Sequence, residues 1–235
     1  MSYGVEFRNE GGVVQIDSTY GNYYLSLSGA ATSTAISGTG TGVASLLYPQ
    51  SWVVITVTGI NPLIAFRCSE KSFLYNVVKS GSNWTFTIAT FGAVGTIVNY
   101  YIYDTYPTAA GVGWGLEVYD SSGAVTFSSE RKYLRVVDQL AGAYNFVDGV
   151  SNWNGASYSY LPGRTYALIQ SHLSWGNDAW DVFGYIVGLC CKFGGGGFSL
   201  HDERINQSGR PYVEPYGDLE FVDRVTFVVC DVTGH

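Results

Sequence analysis

Two internal histidines, His172 and His201, have carboxylates close by in the sequence: Asp178 and Asp181 after the first, Asp202 and Glu203 after the second. These are donor types for a divalent metal, but no HxH or HExxH spacing sets two imidazoles on one face. Surface or hydrogen-bonded histidines are the plainer reading, and neither a metal nor a cofactor is expected. Glycoside hydrolysis asks for two carboxylates about 5 to 9.5 Å apart, one of them in an apolar pocket. Asp178 and Asp181, beside Trp175 and Trp180, come nearest to that requirement. A Ser–His–Asp triad is assembled in space and leaves no spacing to read. Gly194-Gly195-Gly196-Gly197 is followed by Phe198-Ser199-Leu200 rather than by the Lys-Ser/Thr and helix of a P-loop. A flexible connection between strands is expected there, and no enzyme is read from these residues.

The sharper candidates are for recognition. Ser151 to Tyr160 mixes Trp153, Tyr158 and Tyr160 with Ser, Asn, Gly and Ala, as antibody paratopes do. Trp175-Gly176-Asn177-Asp178-Ala179-Trp180-Asp181 adds two indoles that could stack on sugar rings, with Asn177 and Asp178 placed to hydrogen-bond hydroxyls. Trp153, Tyr158, Tyr160, Trp175, Asn177, Asp178 and Trp180 are therefore the candidate receptor-binding residues. The competing reading puts the same rings in the core or in an oligomer interface, where Tyr and Trp are also enriched.

The elements that must position these residues are strands. Of 235 residues only 13% are charged, against 46% hydrophobic, and the chain carries 30 Gly, 19 Tyr, 12 Phe and 6 Trp. That is the opposite of a disordered chain. A net charge of −7 argues against nucleic acid as a partner, which would need clustered Lys and Arg. The longest apolar run, Val182 to Cys191, is too short to span a membrane, and Met1 to Glu6 is unlike an export signal. Cys68, Cys190, Cys191 and Cys230 lack metal-site spacing and read as buried free thiols made in a reducing cytoplasm.

Alternation of period two recurs along the chain. Trp84, Phe86 and Ile88 share one face of a run whose other face is Thr85 and Thr87. Val53 to Thr58, Val98 to Tyr103, Tyr166 to Gln170, Phe183 to Leu189 and Val225 to Val229 are similar runs bounded by Gly, Pro, Asn or Asp. Arg135 to Ala143 is the nearest approach to a helix and lacks both a cap and an apolar stripe. The expectation is an all-β chain of sandwich-like antiparallel domains.

An internal repeat organises the chain. Tyr3 to Ser18 aligns without gaps to Trp114 to Ser129, with Gly4/Gly115, Glu6/Glu117, Gly12/Gly123, Val14/Val125 and Ser18/Ser129 identical. Each copy reads as a hairpin whose turn starts with Asn9 or Asp120 and ends in a Gly at positive φ. A two-residue gap then matches Tyr24-Leu25 to Tyr133-Leu134. Each half closes on a long strand ending in Asp, at Asp104 and Asp231. The expected layout is two tandem domains related by duplication, 1–108 and 113–235, joined across Pro107 to Gly113.

The motif at Tyr3–Ser18 and again at Trp114–Ser129 resembles the opening of a family of small tail-tip and fibre-associated proteins of long-tailed bacteriophages. Pro62-Leu63-Ile64-Ala65-Phe66-Arg67 and Tyr100-Tyr101-Ile102-Tyr103-Asp104 are similar to the same family. The likeness covers residues 1 to about 105 well. In the second half it covers the hairpin and last strand only. It implies a non-enzymatic virion component of the tail tip or baseplate, with a role in architecture or host adhesion, and supplies no catalytic residues. The expected partners are other tail-tip and fibre proteins, further copies of this chain in a homotrimer, and a glycan or protein receptor on the host. A carbohydrate-binding module and a polysaccharide-degrading tail enzyme are the alternatives. The first half is expected to anchor and the second to display. The second is longer between matched strands, so recognition is expected on loops of residues 150–215, anchored by Trp153 and Trp175.

Overall fold

The computed structural model describes residues 6–8, 14–17, 22–36, 49–105, 114–147, 150–171, 175–178, 185–207 and 223–235. Strands β1 (Glu6–Arg8) and β2 (Val14–Asp17) form the opening hairpin, followed by β3 (Tyr24–Thr32) and β4 (Thr34–Ala35). The first half continues through β5 (Ser51–Thr58), β6 (Leu63–Cys68), β7 (Ser72–Ser80), β8 (Asn83–Thr90) and β9 (Ile97–Asp104). The second half opens with β10 (Glu117–Tyr119), β11 (Val125–Ser128), β12 (Val136–Tyr144), β13 (Phe146–Val147), β14 (Val150–Ser151) and β15 (Ser157–Ser159). It ends with β16 (Tyr166–Gln170), β17 (Trp175–Asp178), β18 (Tyr185–Gly194), β19 (Gly197–Gln207) and β20 (Asp223–Asp231). Among the described residues there is no helix, and the strand pairs are antiparallel. The all-β expectation holds.

Alternation explains the strands. In β5, Val53 and Ile55 are buried while Val54 and Thr56 face outward. On the paired β8, Phe86 and Ile88 are buried and Thr85 meets Thr56 across the outer face, Oγ1 to Oγ1 at 3.1 Å. The Arg135 to Ala143 stretch becomes β12, with Leu140 and Tyr144 turned inward.

A six-stranded sheet runs in the order β12-β20-β16-β6-β9-β3. An eight-stranded sheet runs β15-β19-β18-β7-β8-β5-β4, with β17 paired to β18. The inner faces of these sheets enclose one cluster of apolar side chains, which takes Val53, Phe66 and Phe86 from the first half and Leu168, Leu189 and Phe227 from the second. The halves are also joined strand to strand: Leu168 on β16 pairs with Phe66 on β6, and Cys191 on β18 with Ser72 on β7. Both sheets and this core thus cross the expected domain division, whose boundary residues lie outside those described.

The two halves follow the same register. In β1–β2, Glu6 faces Asp17, Phe7 faces Ile16 and Arg8 faces Val14, with a register shift after Phe7. In β10–β11, Glu117 faces Ser128, Val118 faces Phe127 and Tyr119 faces Val125, with the shift after Val118. The second turn is as expected: Gly123 has φ 84°, and Asp120 accepts from the Ser122 and Ala124 N–H groups at 2.8 and 2.9 Å. Those hydrogen bonds, led by the one from the Ser122 side chain, hold the Asp120 carboxyl below its usual range.

The match continues without the expected gap. Leu25 faces Tyr103 in β3–β9, and Val136 faces Cys230 in β12–β20, each followed by a register shift before Leu27 or Asp138. Leu25 thus corresponds to Val136. Tyr133 is not the counterpart of Tyr24; the two form a bridge with each other. Residue likeness had matched side chains that are in fact neighbours. By the same rule Ile64 and Ala65 on β6 correspond to Leu168 and Ile169 on β16, since each partners equivalent residues of β9 and β20. The six-stranded sheet therefore reads alike from both edges.

Candidate functional site

The aromatic segment is tied into the sandwich. Trp153 is half-buried, and its indole N–H donates to the Ala143 carbonyl at 2.9 Å. Its ring lies so close to Gly142 that a Cβ there would come within 3.0 Å of it. Asp202 receives Tyr144 Oη at 3.0 Å and Ser151 Oγ at 2.9 Å, which fastens the start of the segment to β19. Burial pushes the Asp202 carboxyl up, against the pull of those donors. Main-chain bonds from Gly155 to Leu200 and from Leu200 to Ala156 continue the attachment.

Tyr158 stacks on Phe198 at 5.1 Å, and Tyr160 packs on Tyr166 at 5.0 Å while donating to Asp138 at 3.0 Å. Both rings are half-buried against the core, and burial raises both phenols. Trp175, Asn177 and Asp178 were expected in a loop. They stand on β17, paired to β18 as Trp175 to Gly188, Asn177 to Ile186 and Asp178 to Tyr185. Trp180, His172 and Asp181 lie outside the described residues.

Gly194 to Gly197 also differ from expectation. They make a two-residue hairpin turn, with Gly195 and Gly196 at φ 59° and 85°, rather than a loose connection. Gly197 is required for another reason. A Cβ there would fall 1.9 Å from the Tyr158 carbonyl, so only glycine lets β15 pair with β19.

This turn is where the geometry draws groups together. Phe193, just before it, meets Phe198 at 5.5 Å and receives the Arg67 guanidinium over its ring at 5.6 Å. Arg67 is half-buried on β6, opposite Asn99 on β9. It lines two adjoining cavities. One, of about 410 Å³, is shared with Cys68, Ser69, Ile97, Asn99, Tyr101, Thr165 and Phe193. The other, of about 60 Å³, lies against Arg164, Tyr166 and the Gly194–Gly197 turn. Arg164 is committed elsewhere, to Asp231 at 3.2 Å. Among the described residues Arg67 has no hydrogen-bonded or ionic partner, only the Phe193 ring. Burial raises the Tyr101 phenol, an effect the Arg67 charge opposes. Burial likewise raises the Cys68 thiol, which packs in the core and stays neutral rather than nucleophilic.

Ser199 and His201, two apart on β19, are in contact, Oγ to Nε2 at 2.8 Å. Burial depresses His201, so it is neutral at pH 7, but among the described residues no carboxylate hydrogen-bonds its other nitrogen. Neither cavity includes the pair. Asp202 is taken up by Ser151 and Tyr144, and Glu203 pairs with Lys71. Among the described residues no three His, Cys, Asp or Glu side chains converge as a metal site would require. The four cysteines are buried and free; burial pushes Cys191 and Cys230 up to about 12.

Arg67, Asn99 and Tyr101, which the geometry draws together, are not among the candidate residues read from the sequence, all of which lie in the second half. The available signal was Arg67 itself, a lone cation closing an apolar run in a chain with few basic residues. Comparison with known protein families, with curated proteins and with solved structures returns no match.

Proposed function

We propose that the protein is a non-enzymatic structural component of a bacteriophage tail tip or baseplate that takes part in binding the host surface. The observation that supports this reading is the hairpin motif at Tyr3–Ser18 and Trp114–Ser129, through which the chain resembles tail-tip proteins. The two hairpins also share one register. Duplication of an ancestral unit is part of the same proposal and accounts for a six-stranded sheet that reads alike from both edges. Assembly as a homotrimer docked on other tail proteins follows from the resemblance and the low surface charge. The test is mass spectrometry and immunogold electron microscopy of purified virions of the phage that encodes it. Gold at the tail tip is expected; virions lacking the chain would refute the reading. Light scattering should give three copies per particle, and a monomer would refute self-assembly.

A second reading, a carbohydrate-binding module acting away from any virion, is favoured by one observation. The Arg67 cavity combines a cation, aromatic walls and small polar groups. Detection of the chain in virions separates the two.

A further inference from the structure

We propose that the cavity around Arg67 binds a saccharide carrying an oxyanion, a carboxylate or a phosphate, with the guanidinium as its charge partner. The inference deepens the host-recognition reading and rests on it for the source of the ligand. A guanidinium withdrawn halfway from water and left without a counter-charge is costly, and a carboxylate or a phosphate satisfies it through two parallel hydrogen bonds. Most of the other described cations are already engaged. Lys71 pairs with Glu203, Lys192 with Glu70, and Arg135 and Arg164 with Asp231, while Lys79 lies over Trp84 and Arg131 over Tyr24.

The rest of the cavity suits a sugar body. Its volume of about 410 Å³ falls within the range of small-molecule sites. Asn99 and Tyr101 from β9, with Ser69 and Thr165 from the flanking loops, offer donors and acceptors to hydroxyls, and the rings of Tyr101 and Phe193 offer apolar walls. The net charge of −7 disfavours long polyanions at a distance. A single acidic group that reaches the half-buried guanidinium escapes part of that repulsion.

The β6–β9 side of the site has no counterpart in the second half. The position corresponding to Arg67 is Ser171, whose N–H and hydroxyl are both spent on the Thr226 carbonyl at 3.2 Å. Asn99 and Tyr101 correspond to Thr226 and Val228, since β9 and β20 end alike at Asp104 and Asp231.

Isothermal titration of the purified chain with D-glucose, D-glucuronate, D-glucose 6-phosphate and inorganic phosphate tests the inference. The sugars share one body and differ at C6. Glucuronate, glucose 6-phosphate or both should bind measurably tighter than glucose and than inorganic phosphate, and the tighter of the two names the group recognised. Arg67→Gln should weaken that ligand about tenfold or more, as expected for removal of a charge-assisted hydrogen bond. Arg67→Lys should recover part of the loss. If Arg67→Gln melts far below wild type, Asn99→Ala carries the same readout. Equal binding of glucose, no binding of either acid, or an unchanged affinity in the variants would overturn the site. Virion adsorption in excess of the bound acid is a separate measurement. Adsorption that does not slow, with the titration positive, leaves the site standing and refutes its role in host recognition.

Discussion

The outer face of the six-stranded sheet differs between the halves although its backbone does not. At corresponding positions the first half has Arg67, Asn99 and Tyr101 where the second has Ser171, Thr226 and Val228. The terminal aspartates diverge in the same manner. Asp104 accepts the N–H groups of Ile60 and Asn61 at 2.9 and 3.0 Å, clasping the loop before β6. Asp231 holds the loop before β16 through the Arg164 side chain. Even the core differs at one place. Phe66 is fully buried, while its counterpart Gln170 accepts the Leu74 N–H at 2.8 Å and leaves its own Nε2 without a partner among the described residues. Main-chain register constrains the frame because each strand serves two neighbours at once. Side chains on an outer face answer to no such pairing and can change.

The largest test of this comparison is at the seam. Phe66→Ala should cost about 3–5 kcal/mol, a fall in Tm on the order of 10 °C in a chain of this size. Because the core is shared, the variant and the wild type should each melt in a single transition by calorimetry. Two transitions, with only one moved by the substitution, would mean that the halves are independent. Gly197→Ala comes next, at about 1–3 kcal/mol, because the new methyl would drive β15 off β19. Chemical denaturation measures it, and a neutral result would place β15 elsewhere.

Trp153→Phe keeps the ring over Gly142 and removes the bond to Ala143, so about 1 kcal/mol is expected. Adsorption lost with stability unchanged would return Trp153 to the receptor contacts. The smallest effect is with pH. Burial pushes Asp231 up, but its bonds to Thr233 and the charges of Arg135 and Arg164 prevail and hold it below its ordinary value. Its contribution is therefore complete above the unfolded carboxylate value of about 4 and lost as pH falls through the lower folded value. Asp202, raised by burial, works in the opposite sense, since its protonation relieves the fold as pH falls. Between pH 5 and about 3, Asp231→Asn should flatten the decline in Tm and Asp202→Asn should steepen it.

Much of the fold is legible in the sequence where the determining physics is local. Alternation at Val53–Thr56 and Trp84–Ile88 marks strands because period two matches the pleat, while Tyr166–Gln170 reads as a strand through its short apolar run, buried on both faces. The Asp120–Gly123 turn is readable because its carboxylate and its positive φ are properties of four consecutive residues. The candidate site is only half legible. The Gly194–Gly197 turn does border the cavity, yet Trp153, Tyr158 and Tyr160 are engaged by Ala143, Phe198 and Asp138. Composition cannot tell a ring that binds from a ring that packs.

The residue pattern alone marks the chain as all-β, places many of its strands, and repeats one hairpin signature at Tyr3–Ser18 and Trp114–Ser129. Folding in three dimensions sets β6 beside β16 and β7 beside β18, gives the halves one core, and brings the Arg67 guanidinium over the Phe193 ring. Strand formation and turn chemistry depend on neighbours in the chain. The choice of sheet partner depends on hydrogen bonds and buried surface between segments about a hundred residues apart, which no local pattern encodes.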